Sequence, residues 1–238
     1  LLLTKQHSNS LLANPAAISS EMKNQHSGLI ICGTDTDVGK TIVSAWIVQG
    51  LNAIYWKPIQ SGWTDGGDTH QVCKLLNLPE RRFRQEAYKF KAAVSPHWAA
   101  EQENKLIESE KLVLAPTASE PLIIETAGGL LVPLTRQLLQ IDQLIHWNLP
   151  VILVARTELG TLNHTFLSIE ALRNRNIPLL GVILNGPNHA DNPKTLEQIG
   201  EVEIIGHLPY LEELNAEALA KEWHRQCLDI TFKRLLQT

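Results

Sequence analysis

The stretch Gly33–Thr41 reads Gly-Thr-Asp-Thr-Asp-Val-Gly-Lys-Thr and lies between two apolar runs. Leu29–Cys32 precedes it as a short strand, and Ile42–Val48 follows it as the body of a helix. A strand, a tight loop ending in Gly-Lys-Thr and a helix are typical of a phosphate-binding P-loop. In such a loop the backbone N–H groups and the positive end of the helix face the phosphates. The sequence therefore predicts a nucleotide site, with Lys40 on the terminal phosphates and Thr41 on a magnesium ion.

The loop departs from the common P-loop pattern at one position. That pattern has a glycine five residues before Gly39, where this chain has Thr34, and Gly33 comes one residue too early. We interpret the loop as a variant form. From these residues alone, the alternative is an ordinary strand-to-helix turn in an apolar α/β domain.

Length and composition favour one α/β domain, because 238 residues of which 44% are hydrophobic can bury a sizeable core. The net charge of −4 gives no reason to expect nucleic acid or an anionic membrane as a partner. No apolar run approaches the ~20 residues of a membrane span. The cysteines Cys32, Cys73 and Cys227 are far apart and form no Cys-x-x-Cys pair, which suggests a reducing compartment. We therefore expect a cytoplasmic protein.

The beginning of the chain differs from the rest. Residues 1–27 are mostly polar and irregular, and the only methionine is Met22, just ahead of the first strand. We expect residues 1–27 to be an N-terminal extension that is disordered or outside the native fold, with residues 1–21 upstream of the true start. The domain itself is expected to span residues 28–238.

Apolar strands and helical patterns alternate along the remaining chain, which predicts a mostly parallel β-sheet covered by helices on both faces, a P-loop NTPase fold. The run Pro150–Ala155 is continuously apolar, as in a strand buried on both faces. Residues 79–115 are less regular. There we expect an edge strand near Ala87–Phe90, a helix start at Ser95 and a polar helical piece over Lys105–Leu114.

Polar residues follow the predicted strands where ligands collect in open α/β sheets. Lys57 and Ser61 lie in a Pro/Gly loop after the second strand, and a solvated lysine and a turn serine are the alternatives. Asp68 suits a helix N-cap and equally a metal ligand. Glu125 ends an apolar strand just before Gly128-Gly129, where P-loop enzymes place a carboxylate that faces magnesium. The alternative is that a charged residue stands at this strand end by chance.

With these residues placed, the chain resembles the dethiobiotin synthetases, ATP-dependent carboxylases of biotin synthesis. The resemblance runs from about Gly28 to Leu211. It rests on the loop at 33–41, Lys-Pro-Ile-Gln-Ser-Gly at 57–62, Ser-Pro-His at 95–97, Glu-Thr-Ala-Gly-Gly at 125–129, Leu-Gly-Thr-Leu-Asn-His at 159–164 and Leu-Pro-Tyr-Leu at 208–211. The chain departs from the family at Asp37, Thr126 and Gly186, where glutamate, glycine and aspartate are usual, and Gly186 leaves the strictness for adenine open.

The resemblance implies that ATP drives the carboxylation and ring closure of 7,8-diaminononanoate with carbon dioxide. One amine becomes a carbamate, the carbamate attacks the γ-phosphate to form a carbamic–phosphoric anhydride, and the second amine closes the cyclic urea. It also implies Mg²⁺, a homodimer and a substrate site at the subunit interface. We expect no nucleic acid and no membrane among the partners.

The resemblance further implies roles for individual residues. The catalytic residues are Lys57, Lys40 and Thr36. The metal ligands are Thr41, Asp68 and Glu125. Ser61 and the helix start of the other subunit, Gly160, Thr161, Leu162 and Asn163, bind the substrate. The nucleotide is bound by Asp37, Val38, Gly39, Lys40, Thr41, Ile42, Asp68, Glu125, Thr126, Ala127, Gly128, Asn185, Gly186, Pro209, Tyr210 and Leu211.

Two related P-loop classes remain as alternatives. Cobyrinate-type synthases usually carry an added glutaminase domain with a nucleophilic cysteine, for which this chain has no room. Partner-binding ATPases of the ParA/MinD kind carry a signature lysine early in the loop, and this chain has Asp35 there.

Overall fold

A computed structural model of the protein describes residues 28–114 and 120–236. The expected N-terminal extension, residues 1–27, lies outside the described residues. The strands are β1 Gly28–Gly33, β2 Ile54–Trp56, β3 Ile59–Gln60, β4 Phe83–Arg84, β5 Tyr88–Lys89, β6 Leu122–Gly129, β7 Val151–Arg156, β8 Leu179–Asn185 and β9 Ile204–Leu208. The helices are α1 Lys40–Gly50, α2 Gly67–Leu76, α3 Pro96–Gln102, α4 Gln140–Trp147, α5 Thr161–Arg173, α6 Asn192–Gly200, α7 Ala216–Arg225 and α8 Leu228–Leu235.

The described strands form a seven-stranded sheet in the order β4-β2-β6-β1-β7-β8-β9, and every pairing in it is parallel. Successive side chains of the central strand β1 enter opposite layers, as the period of two requires. Leu29 and Ile31 pack in the core with α1, α2, α7 and α8, whereas Ile30 and Cys32 pack in the core with α3 to α6. The predicted α/β fold with helices on both faces is therefore confirmed.

In the irregular segment, the strand expected near Ala87–Phe90 is confirmed as β5, whereas the helical piece expected over Lys105–Leu114 was wrong. β5 pairs with β3 in a separate two-stranded sheet, and the edge of the main sheet is β4, a two-residue strand that is too short to show a pattern. The segment Lys105–Leu114 holds only a 3₁₀ turn at Ser109–Lys111. Its buried residues Ile107 and Leu112 are five positions apart, which does not match one face of a helix.

The parallel sheet brings several loops to one edge. The carboxyl ends of β2, β6, β1, β7, β8 and β9 all lie there, so the P-loop after β1 is flanked by the segments that carry the other predicted site residues. This is the edge where ligands bind in open α/β sheets. Within the described ranges, no helix is both long enough and apolar enough to cross a membrane.

Candidate active site

The P-loop folds back over the side chain of Lys40, the first residue of α1. Lys40 is 7% exposed, and its Nζ donates a hydrogen bond to the carbonyl of Asp35 at 2.8 Å. A Cβ atom at Gly33 would lie 2.9 Å from this Nζ, so a side chain at position 33 would displace the lysine. The same Cβ atom would lie 2.8 Å from the carbonyl oxygen of Asp35, so the available space favours glycine at position 33. Burial, and next the charge of Lys57, lower the pKa of Lys40, so an incoming anion would stabilise its charge.

The other end of the loop packs against β8. Gly39 has the left-handed φ of 89°, and a Cβ atom there would lie 2.1 Å from Asn185 Nδ2. Asn185 donates from Nδ2 to the carbonyl of Val38 at 3.2 Å. Both the backbone and the available space therefore require glycine at position 39. The contact also places Asn185, the predicted base-binding residue, directly beside the phosphate loop.

Lys57 is the centre of the site and is not a solvated loop lysine. It follows β2, is 4% exposed, and places its Nζ 2.7 Å from Glu125 Oε1 and 2.7 Å from Asp68 Oδ2. It also donates to the carbonyl of Thr126 at 3.2 Å. Burial opposes its charge, but the two carboxylates outweigh burial, and the pKa of Lys57 lies above its ordinary value. The lysine is therefore a fixed, buried cation.

Glu125 lies inside β6, four residues before the strand ends at Gly129, so the expectation of a strand end at Glu125 was wrong. The strand continues because the following residues still run beside β1, where Gly33 pairs with Gly129 across a register shift. The Glu125 side chain is fully buried. Burial opposes its ionisation, yet Lys57, then Lys40 and the Tyr55 hydroxyl, hold the pKa of Glu125 below its ordinary value.

The two oxygens of Glu125 face different groups. Oε1 accepts hydrogen bonds from Thr41 Oγ1 at 2.9 Å and from Lys57 Nζ at 2.7 Å. Oε2 accepts from the Tyr55 hydroxyl at 2.8 Å. Burial, and next the charges of Glu125 and Asp68, raise the pKa of Tyr55 well above its ordinary value, so the phenol stays protonated and donates. Sequence reasoning missed Tyr55, because an aromatic residue in a buried strand is typical of a core position.

The expected N-cap role of Asp68 was wrong. The residue before α2 is Gly66 in a left-handed conformation with φ of 92°, and Asp68 lies in the first turn of the helix. A carboxylate there is still favourable, since it faces the positive end of the helix. The backbone N–H of Asp68 donates to Gln60 Oε1 at 3.0 Å. Gln60 was also missed, although a buried amide in the middle of the Lys-Pro-Ile-Gln-Ser-Gly motif is a usable signal.

Thr41, Asp68 and Glu125 fit the donor set of a magnesium ion. Their hydroxyl and carboxylate oxygens are hard ligands, and the Lys57 ammonium already lies 2.7 Å from both carboxylates, as a stand-in cation. In the described part of the chain, no group of three or more His, Cys, Asp or Glu residues could hold a metal. Beside a nucleotide, Mg²⁺ is usually bound by one or two carboxylates, and phosphate oxygens are among its remaining ligands.

The remaining predicted phosphate-site residues surround this cluster. Thr126 is buried and donates from its hydroxyl to the carbonyl of Ile31 at 3.3 Å, while Gly128 has a φ of 66°. A Cβ atom at Gly128 would lie 3.6 Å from Thr36 Oγ1, so the predicted catalytic threonine lies across from the glycine pair. Ala127 and Ile42 are half-buried, and Asp37 is exposed with a φ of 56°.

The predicted base-binding residues lie together at the ends of β8 and β9. Gly186 donates from its backbone N–H to the carbonyl of Leu208 at 3.0 Å, and Pro209, Tyr210 and Leu211 follow immediately. Tyr210 is 68% exposed. A Cβ atom at Gly186 would lie 2.6 Å from Thr157 Oγ1, so this position has no space for the family's usual aspartate without movement of Thr157.

Ser61, the predicted substrate residue, has a buried hydroxyl without a hydrogen-bond partner in the described part of the chain. An open cleft of about 430 Å³ is lined in part by the chain neighbours of Ser61, Gln60 and Gly62, and by Asp68 and Lys74, whereas Ser61 itself does not line it. A buried hydroxyl without a partner is an exception in folded proteins, and a ligand is one explanation for it. This arrangement is compatible with the predicted role in substrate binding.

The predicted second part of the substrate site is the start of α5. Gly160 is exposed with a φ of 91°, Thr161 is buried and donates to the carbonyl of Arg156 at 2.5 Å, Leu162 is half-buried, and Asn163 is exposed. His164 Nδ1 lies 4.0 Å from Asp35 Oδ2. The start of α5 is therefore next to the P-loop, and His164 is a neighbour that sequence reasoning did not assign.

Comparisons with known proteins identify the family of the chain. Residues 27–218 match the AAA domain family. The chain is 48% identical over 191 residues to the ATP-dependent dethiobiotin synthetase BioD of Rhodopseudomonas palustris strain HaA2, covering 80% of this chain and 89% of that one. It is 47% identical over 190 residues to the enzyme of the same name from Agrobacterium fabrum strain C58, covering 80% and 89%.

Solved structures of other proteins share the fold. A ParA family ATPase from Chlorobium tepidum TLS superposes with a TM-score of 0.56 at 13% identity, covering 87% of this chain and 98% of that one. A putative plasmid partition protein from Borrelia burgdorferi B31, bound to AMPPNP, has a TM-score of 0.53 at 14% identity, covering 89% and 100%. Likeness at this identity concerns the fold alone and gives no support to a ParA-type switch. The close relatives, by contrast, match in sequence over most of both chains, and the chain belongs to the ATP-dependent dethiobiotin synthetase family, ligases that form carbon–nitrogen bonds in biotin biosynthesis.

Proposed function

We propose that the cluster of Thr41, Lys57, Asp68 and Glu125 is where this chain performs the family's ATP-dependent synthesis of dethiobiotin. The observation that carries the proposal is the position of Lys57 Nζ, 2.7 Å from each of two carboxylates beside the P-loop. A general P-loop ATPase needs Lys40 and Thr41 but no second buried lysine. The second cation is what a reaction between two anions, a carbamate and a triphosphate, requires.

Thr41, Asp68 and Glu125 would hold Mg²⁺ together with phosphate oxygens, and the ion would neutralise charge on the phosphates. Lys57 would then exchange its carboxylate partners for the carbamate and the γ-phosphate. Lys40 would remain on the phosphates, where an anion relieves the unfavourable burial of its charge. The positive groups are thus fixed before the reaction and need little reorganisation when negative charge accumulates.

The bond changes follow from the family's substrates. A carbamate oxygen, formed from one amine and carbon dioxide, attacks the γ-phosphorus, and ADP leaves. The second amine attacks the carbonyl carbon of the mixed anhydride, and phosphate leaves as the cyclic urea closes. Thr36, across from Gly128, and Ser61, whose hydroxyl has no hydrogen-bond partner among the described residues, would orient the carbamate and the diamine.

The adenine would lie between Asn185 and the segment of Pro209, Tyr210 and Leu211. A side-chain amide offers a paired donor and acceptor to the edge of a base. Asn185 uses Nδ2 for Val38, which fixes the amide plane against the loop. Gly186 contributes only backbone at this point.

A homodimer would complete the substrate site with the start of α5 from the other subunit. Leu159, just before Gly160, is 99% exposed, which is unusual for a large apolar side chain beside a site and supports contact with a second chain. A helix N-terminus suits the substrate's carboxylate. If sedimentation at micromolar concentration shows a monomer, the proposed homodimer is wrong.

We propose a cytoplasmic location, where Cys32, Cys73 and Cys227 would stay reduced, as free cysteines.

The test is phosphate release that depends on both diamine and bicarbonate, with dethiobiotin identified by mass spectrometry. We expect Glu125→Gln to lower magnesium-dependent turnover by roughly 10²-fold or more, because the ligand's charge is lost while its shape remains. Glu197→Gln, at an exposed position of α6, is the matched control and should retain turnover. Wild-type magnesium dependence in a folded Glu125→Gln variant would make Glu125 a structural residue.

A further inference from the structure

We propose that Tyr55 is a positioning residue for this reaction, because its hydroxyl holds the Glu125 carboxylate with one oxygen turned towards Thr41 and Lys57. The inference rests on the proposed function, since it takes Glu125 as a ligand of the magnesium ion. Neither the P-loop nor the Lys-Pro-Ile-Gln-Ser-Gly motif includes Tyr55, which lies two residues before Lys57.

The strand register brings the two side chains together. Tyr55 on β2 pairs with Ile123 on β6, and Glu125 is two residues further along β6. Residues two apart on a strand share a face, so Tyr55 and Glu125 lie on the same side of the sheet. This is the side covered by α1, which carries Thr41.

The Tyr55 hydroxyl is well placed to orient the carboxylate. The residue is fully buried, and its ring packs edge-on against Phe83 with centroids 6.2 Å apart. Its hydroxyl donates to Glu125 Oε2 at 2.8 Å, while Oε1 accepts from Thr41 and Lys57. A tyrosine fixed by core packing has little rotational freedom, so the direction of Oε2 is set by the core and Oε1 is left for a cation.

This contact serves the site whichever cation is present. Lys57 occupies Oε1 in the structure, and a magnesium ion would take the same oxygen. Oε2 keeps its donor during the exchange, so the buried carboxylate is never left with an unsatisfied oxygen. Partners that orient a metal-binding carboxylate in this way typically contribute about 10–100-fold to metal affinity or activity.

Tyr55→Phe removes the hydroxyl and keeps the ring. We expect the affinity of the enzyme–AMPPNP complex for Mn²⁺, measured by electron paramagnetic resonance, to fall about 10–100-fold. Affinity for metal-free ATP, titrated in EDTA, should change much less, since the loop amides and Lys40 are untouched. If Tyr55 has a purely structural role, Tyr55→Phe would lower the melting temperature but would not weaken Mn²⁺ binding more than it weakens ATP binding.

Tyr88→Phe is the matched control. Its hydroxyl also has a hydrogen bond, from the backbone N–H of Glu108 at 2.9 Å, but Tyr88 lies on β5 in the small sheet. We expect Tyr88→Phe to lower thermal stability without a change in Mn²⁺ affinity. Equal Mn²⁺ affinities in the wild type, Tyr55→Phe and Tyr88→Phe would overturn the inference.

Glu125→Gln separates this inference from the proposed function. If Glu125→Gln weakens Mn²⁺ binding and Tyr55→Phe does not, only the role of Tyr55 fails. If Glu125→Gln also leaves Mn²⁺ binding unchanged, the proposed function fails with it. The double variant Tyr55→Phe/Glu125→Gln should bind Mn²⁺ no more weakly than Glu125→Gln alone, and a further loss would show that Tyr55 does not act through Glu125. Because this variant carries no unpaired carboxylate, it serves the comparison even where the single tyrosine variant folds poorly.

Discussion

Lys57→Gln removes the central cation of the site, and its first consequence is on stability. Lys57 is 4% exposed, and Glu125 is fully buried. Removal of one partner from a buried ion pair typically costs about 3–5 kcal/mol, because the other charge is left uncompensated. Asp68 keeps partial access to water, with a side chain that is 27% exposed, and adds less. We therefore expect a clear drop in the free energy of unfolding of the ligand-free variant.

The second consequence is on turnover. Loss of one preorganised charge contact to a transition state typically costs ~10²–10³ in rate, or roughly 3–4 kcal/mol. We expect cyclic urea formation to fall by at least roughly a hundredfold in Lys57→Gln. ATP binding should fall far less, because the loop amides and Lys40 remain. Nucleotide titration and diamine-dependent phosphate release are measured on the same folded variant.

The third consequence is a higher affinity for a divalent metal ion. Without Lys57, the carboxylates of Asp68 and Glu125 face each other with no cation between them, so Mn²⁺ should bind more tightly to the nucleotide-free variant than to the wild type. Electron paramagnetic resonance measures this directly. Lys111→Gln is the control, since Lys111 pairs with Glu108 at the surface with a 64% exposed side chain, and water and salt screen such a pair.

Each result can refute part of the reasoning. If turnover and ATP binding fall together, Lys57 is a general nucleotide ligand. If neither falls, the active site has been assigned from the wrong loop. If Mn²⁺ affinity without nucleotide is the same as in the wild type, Lys57 does not occupy the cation position.

Two further predictions follow from the geometry. Gly39→Ala should weaken ATP binding and lower the melting temperature, because a Cβ atom there would lie 2.1 Å from Asn185 Nδ2 and φ is 89°; unchanged ATP affinity by titration would contradict this. The stabilisation that Lys57 and Glu125 give each other should depend on pH with a known sign. The folded-state pKa of Glu125 lies below its ordinary value of 4.5 and that of Lys57 lies above its ordinary value of 10.5, so the stabilisation is complete between those two values. The stabilisation should be lost as pH falls below 4.5 through the folded pKa of Glu125, and lost as pH rises above 10.5 through the folded pKa of Lys57. The difference in melting temperature between the wild type and Lys57→Gln, followed over pH, measures this stabilisation. A difference that stays constant across both limits would refute the assignment.

The fold class, a parallel sheet covered by helices, could be predicted from the sequence, because apolar strands alternate with helical patterns along the chain. Burial on both faces makes β1 and the first five residues of β7 apolar, and that pattern has few competing explanations. The edge strand of the main sheet was harder to predict. β4 has two residues, and its position beside β2 depends on contacts that no local pattern encodes.

The sequence predicted which loops contribute to the candidate site but not which side-chain atoms contact each other there. Glycines and charged residues near strand ends identify Lys57, Asp68 and Glu125 as candidates. That Lys57 joins the other two depends on the order of β2, β6 and β1 in the sheet, which the sequence pattern does not give. The role of Tyr55 depends further on register, since a shift of one residue between β2 and β6 would turn its hydroxyl to the other face.

The charges of the ligand-free site account for how one lysine can serve two stages of the reaction. Lys40 and Lys57 contribute two positive charges, and Asp68 and Glu125 contribute two negative charges, so the cluster is neutral before any ligand binds. Lys57 is therefore committed to carboxylates and is poorly available to a carbamate. In the proposed function, Asp68 and Glu125 would hold a magnesium ion together with the nucleotide, and Lys57 would then need other anions in the same low-dielectric pocket. The carbamate and the γ-phosphate would be those anions. The second cation would then become available only once the phosphate donor is in place, and tighter Mn²⁺ binding by Lys57→Gln in the absence of nucleotide is the measurement that tests this order.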